Sequence, residues 1–403
     1  MNIAGMIIGL VGKPSAGKST FFKASTLADV EIANYPFTTI DPNSGIGYVK
    51  IRCVDQDFNK QCHPRMGSCI QHQRFIPVQL MDVAGLVPDA HLGKGRGNQF
   101  LDDLRQAHAL IHVIDISGSM NAYGEPVDKG SYDPALDIKF LEVELDMWYL
   151  GVMKKGWERF ARTIHQEKKD VAKALGAQLS GLGVTEDMIK DMISQLKLSE
   201  DLTKWTDVEL EKLACALRKK TKPMVIAANK IDIPGAEANF KRLQEQFPAY
   251  KLVPCSGESE IALREASKKG LIAYTPGENT FTIQQPQLLN DKQKAALEFI
   301  KKNVLDIYGS TGVQTVLNYA VFDLLKYIAV YPGGVSKLED SKGNCLPDCF
   351  LMPPKSTAVD FAYKLHTDFG KYFIRAINVK TKLPMGKDYH LQHGDVVEIV
   401  SGK

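Results

Sequence analysis

The chain has 403 residues, of which 44% are hydrophobic and 24% charged, a balance that suits a globular protein of two or three domains and excludes a disordered or collagen-like one. Its 50 Lys+Arg against 47 Asp+Glu leave a formal charge of +3, too near neutral for charge alone to announce a nucleic-acid-binding protein. Seven cysteines, odd in number and unevenly spaced, fit reduced thiols better than a disulfide framework, and the early apolar run Ala4 to Gly12 is too short to span a membrane, so a cytoplasmic address is the default expectation.

From the N-terminus, Ile3 to Val11 reads as a strand, Gly12 to Lys18 as a glycine-rich loop and Ser19 to Ala28 as a helix. Further short apolar strands are expected at Phe75 to Met81, Ala109 to Ile116 and Met224 to Ala228. Such strands, alternating with helices, predict a parallel sheet covered on both faces. Between the last two, Ser117 to Pro223 has a different texture. A stretch with Gly, Pro and Asp (Gly118 to Pro134) precedes long amphipathic runs rich in Lys, Glu, Leu and Met, which predict a helical insertion. Arg218, Lys219, Lys220 and Lys222 form a tight basic group there, for which a solvated helix end is the commoner reading and an anion site the rarer.

After Leu271, a loop with Pro276, Gly277 and Pro286 leads to two expected helices, Asn290 to Ile307 and Thr311 to Ile328, with Tyr308-Gly309 as a stop between them. Tyr331-Pro332-Gly333-Gly334 punctuates, and strands at Phe373 to Asn378 and Val396 to Val400 around a helix at Thr357 to Leu365 predict a small β-plus-α domain. The expected division is therefore 1–117 and 223–280 for a split α/β domain, 118–222 for the helical insertion, 281–330 for a helical linker and 331–403 for the C-terminal domain.

The chemistry begins at Gly12-Lys13-Pro14-Ser15-Ala16-Gly17-Lys18-Ser19-Thr20, a phosphate-loop pattern placed, as that pattern requires, between a strand and a helix. Backbone amides would cradle phosphate oxygens, Lys18 would reach the β- and γ-phosphates, and the Ser19 hydroxyl would ligate Mg²⁺. Asp82-Val83-Ala84-Gly85 follows a predicted strand, so Asp82 can hold the Mg²⁺ shell through water and the Gly85 amide can meet the γ-phosphate. Asn229-Lys230-Ile231-Asp232 supplies a carboxylate able to accept from guanine N1 and N2, and the backbone of Ser256-Gly257 could meet the base O6.

Together these motifs resemble the translation-factor-related P-loop GTPases. Asn34-Tyr35-Pro36-Phe37-Thr38-Thr39-Ile40-Asp41-Pro42-Asn43, Asp82 to Val87 and Gly93 to Leu101 resemble the Obg/YchF branch. Asp340 to Asn344, Leu346-Pro347-Asp348, Leu365-His366-Thr367-Asp368 and Gly394 to Val397 resemble a TGS domain.

The resemblance implies a mostly parallel α/β G domain with helices on both faces, a helical insertion and a ubiquitin-like β-grasp TGS domain. It implies GTP and GDP as ligands, Mg²⁺ as cofactor, Thr39 as a further Mg²⁺ ligand, a ribosome or ribosomal-RNA partner, and neither membrane nor DNA. Lys18, Thr39 and Gly85 would carry catalysis. Leu86 stands where many small GTPases place a water-positioning Gln, so slow intrinsic hydrolysis is implied, while His91 and Gln99 read as surface or switch-packing residues. Ser15 stands where many relatives carry an Asn associated with K⁺-stimulated hydrolysis. Asp232 matches the GTP-reading pattern of the archaeal side of the branch. An ATP-preferring nucleotidase and a nucleotide-gated binding module with negligible turnover are the alternatives.

Cys53, Cys62, His63, Cys69 and His72 crowd one segment densely enough for a tetrahedral Zn²⁺ site. Their spacing lacks a paired Cys-x-x-Cys, and the sequence favours loop thiols over a structural zinc. Cys345 and Cys349 read as strand-packing residues.

Overall fold

The computed structural model describes residues 5–26, 43–83 and 97–402. The chain divides into two units, one of Ile7–Phe22 and Leu80–Ser259, the other of Met1–Met6, Lys23–Gln79 and Glu260–Lys403.

In the first unit, parallel strands lie in the order Ile7–Val11, Ala109–Asp115, Met224–Asn229, Lys251–Pro254. Every residue of the two central strands is buried, as continuous apolar runs covered on both faces must be. The Val83 N–H donates to the Leu10 carbonyl at 3.1 Å, which brings the end of strand Gln73–Asp82 beside Ile7–Val11. Register sets Asp115 opposite Asn229 at the carboxyl ends of their strands. The first helix runs Lys18–Thr26, beginning one residue before the expected Ser19.

The insertion is helical, with its longest helices at Ala135–Lys154 and Asp207–Thr221. Leu141, Leu145, Trp148 and Tyr149 of one pack in the same core as Leu210, Leu213 and Leu217 of the other. Thr206 and Glu209 close the start of the second with a reciprocal capping box.

The basic group near its end is divided: Arg218 and Lys222 turn into the core, while Lys219 and Lys220 are exposed as a solvated helix end would be. Arg218 is 1% exposed and donates to both Asp146 carboxylate oxygens, at 2.7 and 3.2 Å, and to the Tyr250 hydroxyl. Lys222, also buried, donates to the Arg105 and Ala107 carbonyls. Helical periodicity puts Arg218 beside Ala214 and Leu217 on the inner face, while Lys219 and Lys220 point outward. Burial pulls the Lys222 amine down to about 8.

In the second unit, Ser68–Ile70 and Gln73–Asp82 form an antiparallel hairpin, turned by Gln71 and His72 at φ 49 and 60. The helices after Leu289 depart from the expected pair. Helix Asp291–Ile300 passes into a π turn at Lys301–Leu305, and Val313–Asn318 into another at Tyr319–Leu324. Ile328, expected at a helix end, instead opens the strand Ile328–Pro332. Tyr331 and Pro332 therefore end a strand and do not interrupt one. The N–H groups of Tyr331 and Gly333 donate to the Asp395 and Val397 carbonyls, so the nitrogen of Pro332 faces away from that ladder and needs no hydrogen.

This strand joins a five-stranded sheet in the order Phe350–Met352, Ile328–Pro332, Val396–Ser401, Phe373–Asn378, Pro384–Met385. Phe361, from helix Ala358–Leu365, shares a core with Val330, Ala376 and Val397, which is a β-grasp arrangement.

His112 lies fully buried in the central strand Ala109–Asp115, its Nδ1 without a hydrogen-bond partner among the described residues, and burial drives its pKa down to about 3. It stays neutral when folded but takes a proton below about 6.5 when unfolded. Stability should therefore fall as pH drops from about 6.5 toward 3, at a limiting slope of about 1.4 kcal/mol per pH unit from this residue. Denaturant midpoints of the wild type and His112→Leu across that window check it, and the variant should lose this share of the acid sensitivity.

Candidate functional site

Four loops of the first unit gather at the carboxyl ends of its parallel strands. The loop after Ile7–Val11 needs glycine twice. At Gly12 a Cβ would strike the Val113 carbonyl oxygen, and at Gly17, where φ is +91, it would strike the Asn229 side-chain amide. Pro14 and Ser15 are exposed and Ala16 is buried. Ser19 is exposed at the start of helix Lys18–Thr26, and the Thr20 hydroxyl donates to Glu258 at 3.4 Å. The positive end of that helix and the loop amides favour an anion.

Lys18 forms an ion pair with Asp82, both side chains being largely but not fully buried. The Lys13 side chain turns from the loop toward helix Ala135–Lys154. Its ammonium is 2.9 Å from Asp137, donates to the Met120 carbonyl at 2.8 Å and lies 3.7 Å over the Tyr132 ring. The cause is proximity of the buried Asp137, whose carboxyl burial pushes up while the Lys13 charge pulls it back.

Asn229 joins two of the loops. Its Nδ2 donates to the Ala16 carbonyl at 3.1 Å, and its Oδ1 accepts from the Gly257 N–H at 3.1 Å. Lys230, at φ 63, reaches back to the Ser15 carbonyl and to Asp115, each at 3.0 Å. Asp232 is half-buried, and its carboxylate makes no hydrogen bond or ion pair with a described residue. The Ser256 hydroxyl donates to the Ser259 hydroxyl at 2.7 Å and accepts the Ser259 N–H, fixing the start of helix Gly257–Lys268. A site of this kind combines backbone amides, a cation and a carboxylate with no partner among the described residues, the groups that bind a phosphorylated heterocycle.

Matches to known families agree with this geometry. Residues 7–140 match the family described as 50S ribosome-binding GTPase, 227–334 the Obg-like GTPase YGR210-like, G4 motif-containing domain, and 342–401 the TGS domain. An uncharacterized GTP-binding protein of Methanocaldococcus jannaschii is 49% identical over 98% of this chain and 99% of its own length. The chain belongs to the Obg/YchF family of P-loop GTPases.

Within that family, a crystal structure of a GTP binding protein from Pyrococcus horikoshii OT3 superposes with a TM-score of 0.77 at 41% identity, covering 98% of this chain and all of the other. A more distant relative, named ribosome-binding ATPase YchF, from Escherichia coli O157:H7, is 27% identical over 98% of this chain and 99% of its own.

Among the residues that the Obg/YchF resemblance singles out, Thr39, Gly85, Leu86 and His91 lie outside the described residues, as do 34–42 and 93–96. Asp115 is a site residue that sequence reasoning missed. Burial opposes its charge, but hydrogen bonds from Ser117, Lys230 and Ser119 hold its carboxyl below the usual range. Its position at the end of a predicted strand, level with Asn229, was the available signal.

Asn229 carries two buried hydrogen bonds, so Asn229→Ala orphans a carbonyl and an N–H and should lower stability by about 1–3 kcal/mol. Asp232→Ala, with no partner to orphan, should stay within about 0.5 kcal/mol of the wild type. Urea midpoints of the two variants measure the contrast.

Proposed function

We propose that the chain binds GTP and GDP and hydrolyses GTP as a conformational switch. The observation that carries this reading is the Asn229 double clamp, which fixes Ala16 and Gly257, beside the half-buried Asp232 carboxylate, which has no partner among the described residues. Such a carboxylate accepts from guanine N1 and N2, a pair of donors that adenine does not offer.

Residues Gly12 to Thr20 would hold the phosphates, with Lys18 on the β- and γ-oxygens. Asn229, Lys230, Asp232, Ser256 and Gly257 would hold the base. Ser19 and Asp82 offer the hard oxygen donors that Mg²⁺ takes, and Thr39 joins them by family resemblance. When bound, Mg²⁺ supplies charge neutralisation to the phosphates. Lys18 and Asp82 are paired with each other, so nucleotide entry would break that pair, freeing the ammonium for phosphate and the carboxylate for the Mg²⁺ it would help hold. The Gly85 amide would meet the γ-phosphate, and the hydrophobic Leu86 makes intrinsic turnover slow.

The proposed domains are a G domain of 1–117 and 223–280, a helical insertion of 118–222, a linker of 281–330 and a TGS domain of 331–403. The proposed partner is the ribosome or its RNA. Support comes from the family description matched at residues 7–140 and from the name of the Escherichia coli relative. A cytoplasmic setting goes with that partner. Among the described residues, no helix is long and apolar enough to cross a membrane.

A second reading, an ATP-preferring nucleotidase, is favoured by the name of the same relative. Calorimetric titration of the nucleotide-free chain with GTP, GDP and ATP in Mg²⁺ separates the two. We expect ATP to bind at least about 100-fold more weakly, roughly 2.7 kcal/mol, and comparable ATP affinity would overturn the guanine assignment.

Two variants follow from the residue roles. Lys18→Ala should abolish tight triphosphate binding in the same titration. Asp232→Asn should move preference from guanine to xanthine nucleotide, and unchanged guanine selectivity would remove Asp232 from base reading.

A further inference from the structure

We propose that Cys53, Cys62, Cys69 and Asp55, all in the second unit, form a tetrahedral site for one thiophilic divalent cation, Zn²⁺ in class. Their ligand atoms all lie within 4.8 Å of one another. The Cys53 and Cys62 sulfurs are 3.5 Å apart, and the Cys69 sulfur is 3.7 Å from Asp55 Oδ2. A Zn²⁺ bound by thiolates at about 2.3 Å sets its sulfurs about 3.8 Å apart, so these two edges already have the size of the coordination tetrahedron. A disulfide would need the sulfurs at about 2.05 Å, and all three thiols are free.

The surroundings are those of a built site. Cys53, Asp55 and Cys62 are buried, and Cys69 is half-exposed, which leaves a route in. Asp55 Oδ1 faces His72 Nδ1 at 3.0 Å, and Oδ2 accepts the Cys62 N–H at 2.9 Å, so the carboxylate is held in one orientation. Arg74, 1% exposed, directs one guanidinium nitrogen to the Cys62 sulfur at 3.4 Å and anchors on the Leu346 and Pro347 carbonyls. Three thiolates and a carboxylate carry four negative charges. The cation would offset two and the Arg74 guanidinium a third.

The ligand set differs from the one the sequence suggested. His63 is exposed and contributes only its backbone N–H, to the Cys345 carbonyl, while His72 supports Asp55. Asp55 was invisible because a lone Asp carries no metal signature. Cys345 and Cys349 are buried but lie outside any strand, and neither belongs to the four-residue group. The loop 59–67 has no helix or strand of its own, and it meets the TGS segment through His63 to Cys345 and Arg65 to Pro347. A cation at its base would clip that loop in place.

The test uses the full chain, purified under reducing conditions and reconstituted with Zn²⁺ or Co²⁺ alone. Expected are one equivalent of Zn²⁺ by elemental analysis, and for Co²⁺ the intense d–d bands of tetrahedral coordination with sulfur-to-cobalt charge transfer. Cys62→Ser and Cys69→Ser should lose stoichiometric binding, Cys215→Ser should keep it, and His72→Ala should weaken affinity about 10–100-fold. Should the ligand variants fail to fold, the Co²⁺ spectrum of the wild type still decides. No metal uptake with all thiols free, an octahedral Co²⁺ spectrum, or a Cys53–Cys62 disulfide found by mass spectrometry in the reduced preparation would each overturn the proposal.

Discussion

One side chain, Asn229, holds the functional end of the first unit together. Its amide donates to the phosphate loop and its carbonyl accepts from the loop after Lys251–Pro254, spanning sequence separations of 213 and 28 residues. The spacing is tight enough that Gly17 admits no Cβ beside it. Three loops on three strands thus share one buried amide, and their relative placement follows from the hydrogen-bonding geometry of a single Asn.

Around this clamp the unit buries several of its charges in pairs. Lys13 with Asp137, Lys230 with Asp115, and Arg218 with Asp146 each satisfy a cation that would be costly to bury alone. Losing one partner of such a pair typically costs about 3–5 kcal/mol, which makes these pairs devices of position more than of net stability. Lys230 and Asp115 brace the phosphate loop from below, and Lys13 ties it to the first turn of helix Ala135–Lys154. Asp232, by contrast, has no partner among the described residues, the state in which a carboxylate can select a ligand.

The second unit follows a different economy. Its β-grasp core is apolar, yet the segment 53–74 packs thiols, a carboxylate and a guanidinium against one another. The polar contacts among these groups hold the segment in one shape, and a bound cation would reinforce them.

The motifs Gly12 to Thr20, Asp82 to Gly85 and Asn229 to Asp232, and the strand-helix order around them, were legible from sequence. Their signals are local: a glycine pattern, an apolar run, a fixed spacing. The π turns at Lys301–Leu305 and Tyr319–Leu324 and the strand at Ile328 were not, because an apolar helical period looks the same whichever hydrogen-bond ladder closes it. Partner choice was also hidden. That Lys13 turns inward, that Arg218 and Lys222 are core residues, and that Asp55 joins the thiols depends on which distant strands and helices become neighbours. By itself the sequence determined the family, the order of the elements and the loop chemistry. Only the tertiary structure decided which charged side chain meets which, because a side chain's partner is set by proximity in space and no residue spacing encodes it.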